Sequence, residues 1–279
     1  MLRVLAAAGA AGLLAAGACP ALGEERQPLP RWEIGALAFG VSQPAYPGSD
    51  TQLTRGLAVP YLIYRGAVLR ADGETAGLRA IKTERFELDV GFAGAFGSRA
   101  GEVPARAGMP RLGTLVEFGP RLKWRLTAPG QVVLGGRWTF ELPLRGVFDL
   151  DHGLRHRGST LEPEIGVETR LAGGLNLGFT ASAILGDRQL ADTFYGVAPA
   201  YATAARPAYA AQAGLVAWRL GASLSRPIAP DWRVFGFARV DSVSGAANAA
   251  SPLVRRTVAP TVGVGLTWTW MRSATAGAE

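Results

Sequence analysis

The sequence predicts an all-β protein that folds as a transmembrane antiparallel β-barrel of about twelve strands. Three observations support this fold class. An export signal opens the chain, long segments alternate apolar and polar residues, and short connections between these segments alternate with long ones. The 37 glycines and 18 prolines argue against long helices. A mean hydropathy of only +0.15 excludes a polytopic helical membrane protein but suits a barrel, whose apolar residues are spread thinly along strands.

Residues 1–23 have the layout of a secretory signal peptide. A positive start that ends at Arg3 precedes an unbroken run of Ala, Leu, Gly and Val over 4–16, which is too short for a comfortable membrane-spanning helix. The tripeptide Ala21-Leu22-Gly23 has small residues where a signal peptidase reads the chain, so we predict cleavage before Glu24. Lipidation of Cys19 is the alternative, because the residues around it resemble a lipoprotein box.

The segment 84–97 illustrates the alternation that predicts strands. Phe86 and Leu88 fall on one face of an extended chain, and Glu87 and Asp89 fall on the other. Segments of this kind run for ten residues or more, whereas strands in globular proteins are usually about five or six residues long. A strand that crosses a bilayer at the usual tilt needs about 9–11 residues. The segment lengths therefore favour a membrane barrel over a soluble β-sandwich.

Twelve strands can be counted in the mature chain. The two between residues 67 and 82 are short, and merging them into a hairpin or a loop would leave ten. Both numbers are even, as a closed barrel with both termini in the periplasm requires. The predicted strands are Trp32–Val41, Leu57–Arg65, Ala67–Ala71, Gly77–Lys82, Arg85–Gly97, Leu112–Leu126, Gln131–Phe148, Thr160–Leu171, Leu175–Gly186, Gly214–Ser225, Trp232–Val243 and Thr257–Trp270.

The connections between the predicted strands fall into a tight class and a long class. Short periplasmic turns that alternate with long outer loops are typical of outer-membrane barrels in Gram-negative bacteria. We therefore predict a signal peptide at 1–23, an outer-membrane barrel domain at 24–270 and a C-terminal tail at 271–279. The tight connections lie at 127–130, 172–174 and 229–231, and the long ones lie at 98–111, 149–158, 188–211 and 244–256.

The inward face of the predicted strands carries charges of both signs. We expect these charges to pair with one another and fill the lumen. The alternative is a narrow polar path that stays open through the lumen. Most tryptophans fall on the outward face near strand ends, where an interfacial aromatic girdle is expected; they are Trp124, Trp138, Trp218, Trp232, Trp268 and Trp270. The inward charged residues are Glu87, Asp89, Glu117, Arg121, Lys123, Arg125, Arg137, Glu141, Arg145, Glu162, Glu164, Glu168, Arg170, Arg219, Arg233, Arg239 and Asp241.

The sequence gives little sign of a chemical site. His152 and His156 are four residues apart, but Gly153 and the flanking strands place them in a loop rather than on a zinc-binding helix. Ser159 and Glu162 lie near them in sequence, yet a hydrolase triad is recognised by geometry, which a sequence does not give. We therefore predict no catalytic, cofactor-binding or metal-binding residues, and no cofactor.

The net charge of +7 comes from arginines that are scattered through the alternating segments. Nucleic-acid binders concentrate basic residues on one face, so we predict no nucleic-acid partner. Outer-membrane lipid is the partner that the fold itself implies.

Several motifs lie at the ends and connections of the predicted strands. The first is Pro44-Ala45-Tyr46-Pro47-Gly48-Ser49-Asp50, and Val59-Pro60-Tyr61-Leu62-Ile63-Tyr64-Arg65-Gly66 follows it. Further along come Asp192-Thr193-Phe194-Tyr195-Gly196-Val197, Tyr201-Ala202 and Arg206-Pro207-Ala208-Tyr209. Across essentially the whole mature chain, the sequence resembles the MipA/OmpV family, the MltA-interacting protein family of outer-membrane proteins. The loop tyrosines also suit a plain physical role, which is to pack a loop over the barrel mouth.

The resemblance implies an outer-membrane barrel with a scaffolding role. In that role a murein transglycosylase and a penicillin-binding protein that acts as murein synthase are brought together at the cell wall. Other members of the family imply two alternatives, a small-solute permeability or transport barrel and an adhesin-like protein. The resemblance assigns no catalytic residues. One departure from the usual barrel pattern is the end of the chain, because Trp270 is followed by Met271–Glu279 instead of closing the sequence on an aromatic residue.

Overall fold

The computed structural model describes residues 29–65, 69–71, 76–78, 81–99, 101–128 and 130–277. Most of this chain is extended, as the period-two patterning predicts. The strands are β1 (Trp32–Pro44), β2 (Gln52–Arg65), β3 (Leu69–Ala71), β4 (Ala76–Leu78), β5 (Ile81–Lys82), β6 (Phe86–Ala95), β7 (Leu115–Arg125), β8 (Arg137–Asp149), β9 (Arg155–Leu161), β10 (Glu164–Arg170), β11 (Asn176–Gly186), β12 (Gly214–Ala229), β13 (Trp232–Ser242) and β14 (Val258–Arg272).

The helical content of the described chain is small. The described residues contain a single α-helix, α1, which spans Arg188–Tyr195. Among the described residues, no helix has the length and apolar character needed to cross a membrane. Short 3₁₀ turns lie at Pro104–Arg106, Leu150–His152, Ala172–Gly174 and Pro199–Tyr201.

The fourteen strands form one antiparallel sheet that closes on itself. Strand β1 pairs with β2 on one side and with β14 on the other, so the first and last long strands are neighbours. Strand β4 pairs with β3, and β5 pairs with β6. Because only residues 79–80 lie between β4 and β5, the two ends of the sheet meet on one stretch of chain. The predicted antiparallel barrel is confirmed.

The strand count depends on two interruptions in the wall. Strands β9 and β10 both pair with β8 and with β11, and the break between them falls at Glu162 and Pro163. Proline has no N–H to donate to a ladder, so sheets accept it at such a break. Counting β9 with β10 and β4 with β5 as single interrupted strands reduces fourteen to twelve, the predicted number.

The start of β8 differs from the prediction. The sequence predicts a strand from Gln131, whereas β8 begins at Arg137. Residues 133–136 close a tight turn through a bridge between Val133 and Gly136, with Leu134 at φ 49° and Gly135 at φ 78°. The spacing of apolar residues in this turn imitates a strand, but the glycines allow a left-handed backbone that ends the ladder.

Three long connections also differ from the prediction. Strand β1 continues to Pro44 and β2 begins at Gln52, so the first connection shrinks to residues 45–51. The connection predicted at 149–158 shrinks to residues 150–154, because β9 begins at Arg155. The connection predicted at 188–211 contains helix α1. These differences shorten the irregular chain and make the end of the barrel more ordered than the sequence suggests.

The barrel wall has an apolar outside and a polar inside. On β7, Phe118, Leu122 and Trp124 are exposed, while Arg121 is buried. Side chains that a soluble protein would bury thus cover the outer surface, which is the pattern of lipid contact. Strand β14 repeats this arrangement, with Val262, Val264, Trp268 and Trp270 exposed and Thr261 and Thr267 buried.

Connections of different length mark the two ends of the barrel. We call the end with connections 45–51, 96–114, 187–213 and 243–257 extracellular, because outer-membrane barrels place their longer loops outside. The first and last described residues, Leu29 and Gly277, lie at the opposite, periplasmic end. Aromatic rings of adjacent strands meet there, and the ring centroids of Trp232 and Trp268 lie 5.5 Å apart. These rings suit the interfacial girdle that was predicted.

The C-terminal segment first extends strand β14 and then leaves the barrel wall. Strand β14 runs to Arg272, two residues beyond Trp270. The N–H of Arg31 then donates to the carbonyl of Thr275 at 2.8 Å, and the N–H of Gly277 donates to the carbonyl of Leu29 at 2.8 Å. These bonds hold residues 275–277 beside the first described residues of the chain.

Candidate functional site

Four connections pack together over the extracellular end, and we call them the cap: residues 45–51, 96–114, 187–213 and 243–257. They share one cluster of buried side chains with the upper ends of β11 and β12. Burial of apolar surface is the main stabilising term for such a cluster. The cap is therefore a packed element of the fold. Its core residues are Tyr46, Val103, Leu112, Ile184, Ala191, Tyr195, Val197, Ala211, Val216, Ala217, Val243 and Leu253.

Helix α1 anchors the longest connection of the cap. The side chain of Asp187 accepts a hydrogen bond from the N–H of Leu190 at 2.8 Å and so caps the first turn. The apolar residues Leu190, Ala191 and Tyr195 are buried on one face of the helix. Asp187 followed three residues later by this apolar face is a helix-start signal that could have been read from the sequence.

Two buried tyrosines join the first connection to the others. The hydroxyl of Tyr46 donates to the carbonyl of Leu253 at 2.8 Å, and the hydroxyl of Tyr195 donates to the carbonyl of Pro47 at 3.0 Å. Burial raises the pKa of Tyr46 to about 12. Burial also raises the pKa of Tyr195 far above its ordinary value. Both hydroxyls therefore stay protonated and act as donors at physiological pH.

Two arginines hold the remaining connections of the cap. The guanidinium of Arg206 donates to the carbonyls of Ala105 at 3.1 Å and Ala107 at 2.9 Å. Arg106 donates to the carbonyl of Phe194 at 3.1 Å. The motif residues around Tyr46, Tyr195 and Arg206, on which the family resemblance rests, thus meet in the cap. Their packing over the barrel mouth is the plain physical role expected for the loop tyrosines.

A salt bridge ties the cap to the wall at the edge of the mouth. Arg55 of β2 lies 2.6 Å from the carboxylate of Glu102 and also donates to the carbonyl of Gly97 at 3.3 Å. The carboxylate of Glu102 accepts a further bond from the N–H of Arg99 at 2.7 Å. The hydrogen bond from Arg55 lowers the pKa of Glu102, so this carboxylate stays ionised at neutral pH.

Below the cap, ion pairs join side chains of adjacent or nearly adjacent strands on the inner face of the wall. Arg219 of β12 lies 2.7 Å from Asp241 and 3.2 Å from Glu162, which in turn lies 3.1 Å from Arg145. The paired lumen predicted from the sequence is confirmed for these residues. The other lumen pairs are Arg121 with Asp89 and Glu141, Lys123 with Glu141, Arg125 with Glu87, and Arg145 with Glu117.

One sector of the inner wall is apolar, and the sequence analysis missed it. Leu37 and Phe235 are buried there, and Phe39, Val59 and Tyr61 pack against them. The signal was present on β1, because its large residues alternate with Ala36, Ala38 and Gly40 and so place bulk on one face only. In this sector the apolar side chains point inward, whereas elsewhere in the wall the inward side chains are mostly polar.

Two inward arginines of β13 form no ion pair with the residues that the structure describes. Arg233 Nη1 and Arg239 Nε are buried without a hydrogen-bond partner among the described residues. They lie on either side of Phe235 in the strand, next to the apolar sector. The pairing predicted for the whole lumen is therefore incomplete along this strand.

His152, His156 and Ser159 do not come together in one site. The Nδ1 atom of His152 lies 2.8 Å from the carboxylate of Asp149, and the ring of His156 packs 5.3 Å from that of Phe148. No hydrogen bond joins the Ser159 side chain to either histidine in the part of the chain that the structure describes. Glu162 is engaged by lumen arginines. No group of three or more metal-ligating side chains occurs within the described ranges.

Two cavities adjoin the cap. The smaller, of about 120 Å³, lies between the cap core and the lumen and is lined by Tyr46, Leu112, Arg145, Arg219 and Asp241 among others. The larger, of about 640 Å³, lies between the connections 96–114 and 187–213 and the ends of β8 and β9 at Asp149 and Arg157. Cavities of the larger size are common for small-molecule sites.

The solved structures similar to this chain are outer-membrane barrels. The NanC porin shares 11% identity over 85% of this chain and 98% of its own, with a TM-score of 0.35. An outer membrane channel of the COG4313 type from Pseudomonas putida F1 shares 10% identity over 91% and 100%, with a TM-score of 0.39. Outer membrane phospholipase A from Escherichia coli shares 10% identity over 86% and 94%, with a TM-score of 0.35. No curated protein matches the chain.

The family comparison covers nearly the whole barrel. A family model described as "MltA-interacting protein MipA" matches residues 34–270, which span all but the first two residues of β1 and the last two of β14. The match includes the cap motifs and the charged strands of the lumen. This chain is an outer-membrane β-barrel protein, and it belongs to the MltA-interacting protein MipA family.

Proposed function

We propose that the protein is a non-enzymatic scaffold that docks a lytic murein transglycosylase at the periplasmic end of the barrel. The observation that carries the proposal is the occupied interior. The cap covers one end, and ion pairs among Arg219, Asp241 and Glu162 place charged side chains along the inner wall below it. A barrel built in this way offers its outer surfaces for function. The family description, which names an interaction with MltA, supports a protein partner.

The connection between β7 and β8 is the best candidate for the docking surface. It spans residues 126–136, whereas the other described periplasmic turns span only 83–85, 171–175 and 230–231. Its tip exposes Val132 by 61%, Val133 by 47% and Leu134 by 89%. Exposed apolar side chains on a projecting turn suit contact with a partner protein.

The tip of this connection has a defined shape. The N–H of Gly136 donates to the carbonyl of Val133 at 3.1 Å, and the indole N–H of Trp138 donates to the same carbonyl at 2.9 Å. A preformed surface loses less conformational entropy on binding than a flexible loop would. The turn can therefore present its three apolar side chains in one arrangement.

A binding experiment tests the proposal directly. The full-length protein in a nonionic detergent would be immobilised, and purified transglycosylase of the MltA type would be passed over it. We expect specific, saturable binding that Leu134→Asp weakens by at least about tenfold, since a buried apolar contact at an interface centre contributes at least about 1.4 kcal/mol.

The chain supplies a matched control for this variant. Leu154 is also an exposed leucine with a positive φ, at 52% exposure and φ 60°, but it lies at the extracellular end. Leu154→Asp should leave binding unchanged. Absence of binding by the wild-type protein would overturn the scaffold proposal, and an equal loss with both variants would overturn the assignment of the docking surface.

The second half of the scaffold role needs a second partner. A scaffold that unites murein cleavage with synthesis should also retain a penicillin-binding protein while the transglycosylase is bound. Sequential injection of the two enzymes tests this. Retention of both on one surface supports the scaffold, whereas displacement of the first enzyme by the second indicates that only one of them is bound at a time.

A further inference from the structure

The larger cavity of the cap has a buried floor and an exposed rim. Its volume is about 640 Å³. Leu112 and Asp149 are buried at its floor, while Arg111 and Tyr201 are exposed at its rim. The cavity therefore opens towards the extracellular side and is separate from the lumen ion pairs and from the periplasmic turn.

Arginines from two elements line this cavity. Arg106 and Arg111 come from the connection between β6 and β7, and Arg157 comes from β9. Guanidinium groups present donors in a fixed fork that matches the oxygens of a phosphate or carboxylate group. Converging arginines at the wall of an open cavity are thus a natural anion site.

The acidic residues nearby do not prevent these arginines from binding an anion. The carboxylate of Asp149 already accepts from the N–H of Asp151 at 3.1 Å, from His152 at 2.8 Å and from Arg157 at 2.6 Å. Arg111 has only a long contact of 3.8 Å with Asp151 and is 47% exposed. Asp192 is the remaining acidic residue among the lining residues, and it lies near Arg106.

Arg106 carries the most direct sign of a missing partner. Its Nη1 atom donates to the carbonyl of Phe194, but its Nε atom is buried and has no hydrogen-bond partner among the described residues. Buried donors in native proteins are nearly always satisfied by protein, water or ligand. Burial also lowers the pKa of Arg106, so a nearby anion would favour its charged form.

We propose that this cavity binds a small organic anion, with its phosphate or carboxylate group against Arg106 and Arg111 and its remaining part against the apolar wall. Met109, Pro199 and Tyr201 supply that wall. A phosphorylated sugar has the required combination of one oxyanion group and one ring. It could come free from the medium or as part of the phosphorylated glycolipid in the outer leaflet, and the two sources share the chemistry that the site recognises.

Isothermal titration calorimetry on the full-length protein in a nonionic detergent tests the proposal, with glucose 6-phosphate as the free probe and glucose as the neutral one. We expect binding of glucose 6-phosphate that weakens as salt rises, and no binding of glucose. Arg111→Gln should weaken binding about tenfold, since charge-assisted hydrogen bonds are the strong ones. Asp192→Asn should tighten binding, because it removes a negative charge from the wall.

Controls separate the site from the fold and from the general positive charge. Arg106→Gln could loosen the cap through its bond to Phe194, so Arg111, which is exposed, is the primary variant. Arg188→Gln removes an exposed arginine of α1 that does not line the cavity and should leave binding unchanged.

A second titration distinguishes the sources. Protein in lipid nanodiscs would be titrated with lipopolysaccharide and with its dephosphorylated form. Binding of glucose 6-phosphate that is sensitive to Arg111→Gln supports a free anion. Binding only of phosphorylated lipopolysaccharide, with the same sensitivity, supports the lipid-borne anion. Equal binding of glucose, or no binding of any phosphorylated probe, overturns the proposal.

Discussion

The two ends of this barrel are organised differently. At the extracellular end, four connections share a buried core that includes Tyr46, Tyr195 and Leu253. At the periplasmic end, the described turns are mostly short, and the one long turn leaves Val132 and Leu134 in solvent. The extracellular end is therefore packed around a buried core, like a small folded domain. The long periplasmic turn instead leaves its apolar side chains exposed to solvent.

This difference indicates which end of the barrel tolerates substitutions and which end can bind a partner protein. Side chains in a packed core are costly to alter, because truncation leaves a cavity that the surroundings fill only partly. Exposed side chains can change at little cost to stability and remain available for binding. Pairs of substitutions, one at each kind of position, test this contrast.

The largest effect is expected in the lumen just below the cap. Arg219→Ala would leave Asp241, which is 4% exposed, without its buried partner. Breaking a buried pair from one side costs about 3–5 kcal/mol. The free energy of unfolding, measured by urea titration of the protein in lipid vesicles, should fall by that amount.

Arg272→Ala is the matched control for this prediction. Arg272 pairs with Asp231 at the periplasmic end, where both side chains are about half exposed. Exposed ion pairs contribute about 0–1 kcal/mol. Similar losses for both arginines would contradict the contrast between the two regions.

The next effect concerns the core of the cap. Leu253→Ala removes a side chain with 0% exposure and should cost about 2–5 kcal/mol. Leu134→Ala removes a side chain with 89% exposure and should change stability by less than about 0.5 kcal/mol. Limited proteolysis of intact vesicles should show faster cleavage within 187–213 for the first variant only. Resistance of the Leu253 variant to the protease would contradict a cooperatively packed cap.

A pH dependence is expected from Tyr46. Its pKa is raised by burial from 10.0 to about 12, so as pH rises the unfolded state loses this proton before the folded state does. Stability is therefore full below about pH 10 and is lost between about pH 10 and pH 12, by up to about 2–3 kcal/mol. Thermal unfolding across this range should show the loss, and Tyr46→Phe should reduce it. An unchanged slope in the variant would assign the effect to other groups.

The smallest effect is expected at the exposed periplasmic turn. Leu134 has φ 49°, a left-handed conformation that disfavours residues with a Cβ by about 1–2 kcal/mol. Leu134→Gly should therefore raise stability slightly, by less than about 1 kcal/mol, because glycine also loses more chain entropy on folding. Binding of the transglycosylase should weaken in the same variant. A variant that is both stabilised and fully active in binding would remove Leu134 from the docking surface.

The barrel could be predicted because its physical signal is repeated along the chain. On β7, the apolar residues Phe118, Leu122 and Trp124 alternate with Glu117, Arg121 and Lys123. This alternation indicates which face of the strand contacts lipid, and many other strands show the same pattern. Charges of both signs on the inward face also predicted the ion pairs, although their partners depend on register, which no single strand specifies.

The cap could not be predicted in the same way. Its core joins Tyr46 to Leu253, more than 200 positions apart, and such a contact follows from barrel closure and not from a local pattern. Local signals were present for helix α1 in Asp187 and for the turn before β8 in Gly135 and Gly136. The larger cavity lies among several connections at once, so the residues that line it share no spacing in the sequence.

The most direct test of the central claim, an interior occupied by the cap and by paired charges, is electrical recording from the purified protein in planar bilayers. We expect the wild-type protein to insert without stepwise conductance, and steps to appear once Leu253→Ala and Arg219→Ala are combined. Regular conductance steps from the wild-type protein would show that the interior is open and would favour the alternative of a solute-conducting barrel.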